Sequence, residues 1–125
     1  MNSLSPTEEN LKNLEAIDDF FIYLQTNNYS PKTLYNYEKD LLNLARFLSL
    51  KKIKIFGLDK KLVNEFKAYL ASPDRPTSTQ GNDNNTQLSS ASINRCLSAV
   101  RAYIRFLIDN DIKCPVMPDS FKMVR

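Results

Sequence analysis

Residues 29–48 read YSPKTLYNYEKDLLNLARFL, a stretch that carries both a helix and a choice of what that helix faces. Ser30-Pro31 has the form of a helix start, with a Ser side chain to cap the first free N–H groups and Pro in the first helical position. Leu34, Tyr37, Leu41, Leu44 and Leu48 follow at three- and four-residue intervals, the spacing of a buried seam. With Leu34 set at zero, that seam lies within roughly 80° of one direction. Lys32, Tyr35, Asn36, Lys39, Asn43 and Arg46 fall roughly between 100° and 200° on the same wheel. Glu38 and Asp40 lie on its flanks. A face left only to water mixes both signs of charge. This one is basic and amide-bearing.

The same grammar extends in both directions along the chain. Ser5-Pro6, with Glu8 completing a capping box, predicts a first helix. Its core stripe is Leu11, Leu14, Ile17, Phe21 and Leu24, and Asn27-Asn28 stops it. After the second helix, KIKIF (residues 52–56) is read as an extended connector that buries Ile53, Ile55 and Phe56. Asp59 caps a third helix with Leu62, Val63, Phe66, Tyr69 and Leu70 on one face, ended by Ser72-Pro73. The run SPDRPTSTQGNDNNTQLSS (residues 72–90) is a polar loop, long enough to be expected mobile. A fourth helix begins near Ser89 or Ser90 with Ile93, Leu97, Val100, Ile104 and Leu107 inward. Pro115 and Pro118 forbid helix beyond it. No sheet is available to cover these stripes, so the helices must cover one another. The fold class is therefore all-α, a four-helix bundle with a long polar loop before its last helix.

Composition narrows the chemistry. The 125 residues suffice for one domain, and 17 basic against 14 acidic residues leave a net charge of only +3. A charge that small implies a polyanion only where it is segregated on the surface. The chain has no histidine, which removes Ser-His and Cys-His nucleophile pairs, His-based zinc sites and imidazole acid–base catalysis. Two cysteines, Cys96 and Cys114, make neither a disulfide framework nor a zinc site and read as free thiols in a reducing compartment. No apolar run approaches a membrane span of about 20 residues. The N-terminal MNSLSPTEEN is unlike a signal peptide, and the sequon at Asn84 reads as chance. The expectations are a cytoplasmic protein, with no cofactor, metal, membrane or small-molecule substrate.

The outer side of the fourth helix repeats the pattern of the second. With Ile93 at zero, Asn94, Arg95, Ser98, Arg101 and Arg105 occupy roughly 80° to 200°. Ala91 and Ala102 lie among them, and no carboxylate occurs from Ser89 through Leu107. Arg pairs bidentately with guanine or phosphate, Asn reads adenine, and Ala or Ser lets a backbone approach, so such a face suits a DNA groove. Both helices also open at a Ser cap whose free N–H groups can take a phosphate. Two alternatives stand beside this: Tyr35 as a merely exposed amphipathic ring, and Arg101 as the partner of an acid on another helix.

In this order and spacing, YSPKTLYNYEKDLLNLARFL and LSSASINRCLSAVRAYIRFLIDNDI (residues 88–112) resemble the N-terminal core-binding, SAM-like domain of tyrosine recombinases, the phage-integrase and Xer-type enzymes. The Ser-Pro-x-Thr start, the Tyr and Asp that follow, and the string Ser-x-x-x-Ile-Asn-Arg then Leu-Ser-Ala-x-Arg-x-x-x-x-Phe carry the likeness. It covers residues 17–112. The resemblance implies a four-helix domain that clamps one side of a recombination half-site on double-stranded DNA, while a separate catalytic domain closes the other side. It implies DNA-contacting roles for Lys32, Thr33, Tyr35, Asn36 and Lys39 on the second helix. On the fourth it points to Ser92, Asn94, Arg95, Ser98 and Arg101. Thr33 and Ser92 enter through the resemblance alone.

The family's chemistry needs an Arg-Lys-His-Arg set and a nucleophilic Tyr in the catalytic domain, which a chain without His does not hold. This chain is thus expected to be a non-enzymatic part of a recombinase: residues 1–112 the core-binding domain, with 73–88 a flexible loop, and 113–125 a linker. Other recombinase subunits are implied partners, with residues 4–14 a candidate subunit contact. A helical protein–protein module without DNA binding is the alternative. A helix-turn-helix regulator is disfavoured by the long stretch ahead of Ser89.

Overall fold

The computed structural model of the protein describes residues 11–72 and 88–122. Among the described residues there are four α-helices, α1 (Ile17–Thr26), α2 (Pro31–Lys51), α3 (Lys60–Ala71) and α4 (Ser90–Asp109), and two 3-10 turns, Ile55–Gly57 and Pro118–Phe121. There is no strand among the described residues. The expected all-α bundle is therefore what forms. The expected Ser5-Pro6 start, the Glu8 capping box and loop residues 73–87 lie outside the described residues.

Three of the helix starts follow directly from residue chemistry. Ser30 Oγ accepts the Thr33 N–H at 3.1 Å, with Pro31 in the first turn. Asp59 Oδ1 accepts the Leu62 N–H at 2.8 Å, and Ser89 Oγ accepts the Ser92 N–H at 3.1 Å. Each cap satisfies a donor that the helix cannot satisfy itself. The ends are made differently. Asn28, Lys52 and Asp111 adopt left-handed backbone, with φ of 65°, 59° and 58°. The next residue's N–H then reaches back five residues in each case: Tyr29 to Leu24, Ile53 to Leu48 and Ile112 to Leu107. This is the Schellman closure, built here without glycine.

The first helix differs from the expectation. Ala16 has φ 57°, and the chain turns through 12–16 before α1 begins at Ile17. The turn shifts the helical phase, so Ile17, Phe20 and Leu24 are buried while Phe21 is only half-buried. Phe20, absent from the expected stripe, is fully buried at the centre of an aromatic cluster. Its ring centroid lies 5.4 Å from Phe106, 5.6 Å from Tyr103 and 5.9 Å from Tyr37. Burying such a side chain contributes roughly 1.5–3 kcal/mol. The connector is a second correction: Ile55 is buried and Ile53 half-buried, but Phe56 is 45% exposed because the 3-10 turn rotates it outward.

A second aromatic cluster joins α2, α3 and the C-terminal turn, with Phe47 5.3 Å from Phe66 and Phe66 6.3 Å from Phe121. Val116, Pro118 and Phe121 are buried, so residues expected as a linker help close the core. Leu11 and Leu14, expected within a subunit contact, are buried in this chain's own core. Both cysteines are free thiols, Cys96 buried and Cys114 half-buried, and burial pushes the Cys114 thiol up.

Candidate nucleic-acid interface

Among the described helices, α2 and α4 share the most extensive contact. Tyr29 and Tyr37, near the start of α2, line a groove with Arg105 and Asp109 near the end of α4. Further along α2, Asp40 meets Arg95, nearer the start of α4. The two helices thus pack in opposite directions, with the Asp40–Arg95 pair at the border between them.

This α2–α4 seam is fastened by that ion pair. Arg95 Nε donates to Asp40 Oδ2 at 3.0 Å and Nη2 donates to Oδ1 at 3.1 Å, a side-on bidentate pair. The Cys96 thiol donates to the Asp40 carbonyl oxygen at 3.3 Å, so α4 contacts both side chain and backbone of one residue. The Asp40 side chain is 6% exposed and that of Arg95 50%. The hydrogen bond to Asp40 holds the Arg95 guanidinium above its ordinary pKa, against the opposing pull of burial. At this seam the carboxylate is inside and the guanidinium outside.

The expected α2 residues fall into two strips. Asn36 and Asn43 stand one turn either side of Asp40, half-buried along the border with α4. Lys32, Tyr35 and Lys39 are exposed beyond them. Tyr35 is 58% exposed, and the Lys39 ammonium lies 5.6 Å from its ring centroid, a surface cation–π contact. The Thr33 hydroxyl is hydrogen-bonded to the capping Ser30 hydroxyl at 2.9 Å, and Ser92 has the matching pairing with Ser89 at 3.2 Å. Both hydroxyls belong to the caps that start their helices.

The expected α4 residues divide across the helix. Asn94 is half-buried beside Arg95, and Arg105 is exposed further along. Arg101 faces the other way: Nη1 donates to the Phe121 carbonyl at 2.9 Å and Nη2 to Ser98 Oγ at 3.0 Å. Arg101 does have an intramolecular partner, but it is a backbone carbonyl of the C-terminal turn rather than an acid. Ser98 and Arg101 hold the tail, whereas Asn94 and Arg95 border α2.

Sequence reasoning placed Asp40 on the flank of the α2 face without pairing it with Arg95, and it missed the Phe121 carbonyl. For Asp40 the sequence shows only a carboxylate at the edge of an apolar arc, and its partner comes from the packing of α2 on α4. For Phe121 there was no signal, because any backbone carbonyl can accept. Among the described residues no group of His, Cys, Asp and Glu gathers three or more metal-ligating side chains. No described helix is long and apolar enough to cross a membrane.

Comparison with known proteins identifies the class. The chain matches the phage integrase N-terminal SAM-like domain over residues 17–111, from the first residue of α1 to just past the end of α4. It belongs to that family, whose members are tyrosine recombinases, and the matched region is the domain that precedes their catalytic part. No curated protein and no solved structure matches the chain.

Proposed function

We propose that this domain binds duplex DNA across the α2–α4 seam, as the core-binding module of a tyrosine site-specific recombinase acting in DNA integration or recombination. The observation that carries the reading is the Asp40–Arg95 pair, which joins two acid-poor faces so that one polyanion can touch both. Lys32, Lys39 and Arg105 supply exposed positive charge for phosphates, and Tyr35 lies along the sugar–phosphate backbone. Asn36, Asn94 and Arg95 are nearest the seam and are the candidates for base edges. Ser98 and Arg101 act chiefly through the tail they hold, and Thr33 and Ser92 through the helix starts. Partner recombinase subunits assemble around the same DNA in the full-length enzyme, within the cytoplasm.

Phosphate contacts dominate such an interface, so binding weakens steeply with salt. Lys32→Glu with Lys39→Glu changes only exposed side chains on α2. We expect the double variant to lose at least tenfold in affinity for a mixed-sequence duplex at low salt, with a salt slope shallower by about one for each phosphate contact removed. Fluorescence anisotropy across a salt series measures both. Equal affinity in parent and variant would instead favour a helical protein-interaction module.

A further inference from the structure

Arg95 is held in an unusual way for a surface side chain expected to meet DNA. Guanidinium carries five N–H donors. Two of them, on Nε and Nη2, are occupied by the Asp40 carboxylate, and the remaining three are left for an outside acceptor. The half-exposure of Arg95, against 6% for Asp40, means that solvent meets the donor side of the pair. Asp40 is itself tied down, since its carbonyl accepts from Cys96 and its position on α2 is flanked by the buried Leu41 and Leu44. A long side chain that would otherwise sample many rotamers is therefore fixed before any ligand arrives.

We propose that Asp40 is a positioning residue for DNA binding, orienting the Arg95 guanidinium so that its free donors face the duplex. The inference rests on the function proposed above and makes a prediction of opposite sign to simple charge counting. Removing a carboxylate from a DNA-binding face raises its net positive charge, which by long-range attraction tightens binding to a polyanion. If Asp40 acts by positioning, its removal weakens binding despite the added charge.

The test uses the 125-residue chain, a fluorescein-labelled mixed-sequence duplex and a double-mutant cycle. Asp40→Asn keeps the side-chain shape and is expected to bind about tenfold more weakly than the parent, the cost of ordering a side chain no longer held. Arg95→Gln alone strands a buried carboxylate and risks unfolding. The pair Asp40→Asn with Arg95→Gln removes both charges and provides a comparison in which Asp40 has nothing left to orient. Within the Arg95→Gln background, Asp40→Asn should leave affinity unchanged or improve it. A readout independent of DNA is the Arg95 Nε–H resonance, which should be resolved and slow to exchange in the parent and averaged in Asp40→Asn at an unchanged helical circular dichroism. Asp40→Asn binding as tightly as the parent, or tighter, overturns the positioning role while leaving DNA binding standing. An equal loss in both backgrounds overturns it too, as a purely structural effect. A parent that does not bind duplex overturns the proposed function and this inference together.

Discussion

Ala16 is the residue at which intrinsic preference and structure part company. Alanine is the best helix former, and nothing in NLEAIDD signals a break, so a periodicity argument runs one helix through it. Its φ of 57° is nonetheless left-handed, and Phe20 N–H bonds back to its carbonyl at 3.0 Å to start α1. The turn lets Leu11, Leu14 and Ile17 reach the core together, and Tyr103 donates its hydroxyl to the Glu15 carbonyl beside it at 2.6 Å. Tertiary burial outweighs a backbone cost of roughly 1–2 kcal/mol. The sign of one substitution separates a broken helix from a continuous one. In a continuous helix Ala16→Gly costs about 1 kcal/mol. At a left-handed position glycine carries no such penalty, so we expect Ala16→Gly to stabilise the domain by about 1 kcal/mol in urea unfolding. A destabilised variant would restore the single long helix.

The helices themselves were legible where a side chain makes its own local bond. Ser30, Asp59 and Ser89 announce their helices because a cap needs only the right oxygen three residues before a free N–H. Buried seams were legible for the same local reason, and Leu41, Leu44, Leu48, Ile93, Leu97, Val100, Ile104 and Leu107 are all core. Faces that depend on a neighbouring element were less so. Tyr103 lies outside the simple inward stripe of α4 yet is fully buried, tying that helix to the turn before α1. Burial, followed by the charges of Cys114 and Glu15, pushes its hydroxyl far above the ordinary tyrosine pKa of about 10. Above that pH the unfolded chain releases this proton while the folded chain keeps it, so the unfolded state binds fewer protons and stability falls as pH rises. Each such tyrosine contributes about 1.4 kcal/mol of loss per pH unit between its unfolded and folded values. Tyr103→Phe should therefore be less stable by about 1 kcal/mol near neutrality, from the lost hydrogen bond, yet show a flatter decline at alkaline pH. Parallel urea titrations between pH 8 and 11 compare the slopes, and matching slopes would contradict a buried Tyr103 hydroxyl.

At the scale of the whole molecule, the candidate interface was legible as two separate wheels but not as one surface. Asp40 and Arg95 are 55 residues apart, and only the packing of α2 on α4 shows which acid meets which base. The lower end of the domain was still less legible, because PVMPDSF reads as an extended, proline-marked exit. The family match ends at residue 111, yet the hydrophobic core continues through Val116 and Phe121. Phe121 is fully buried against Phe66, and Arg101 from α4 closes over its carbonyl. A polar residue of α4 thus anchors the C-terminal turn to the bundle. Deleting the ring should cost what a core phenylalanine costs, about 3–5 kcal/mol. Against a total stability of roughly 5–15 kcal/mol, Phe121→Ala would leave a marginal domain despite lying beyond the matched region. Urea midpoints for Phe121→Ala and Phe121→Leu give the measurement, with Leu expected to recover much of the loss because it refills the site. An Ala variant within about 0.5 kcal/mol of the parent is the behaviour of a surface residue and would mean that the tail is not part of the core.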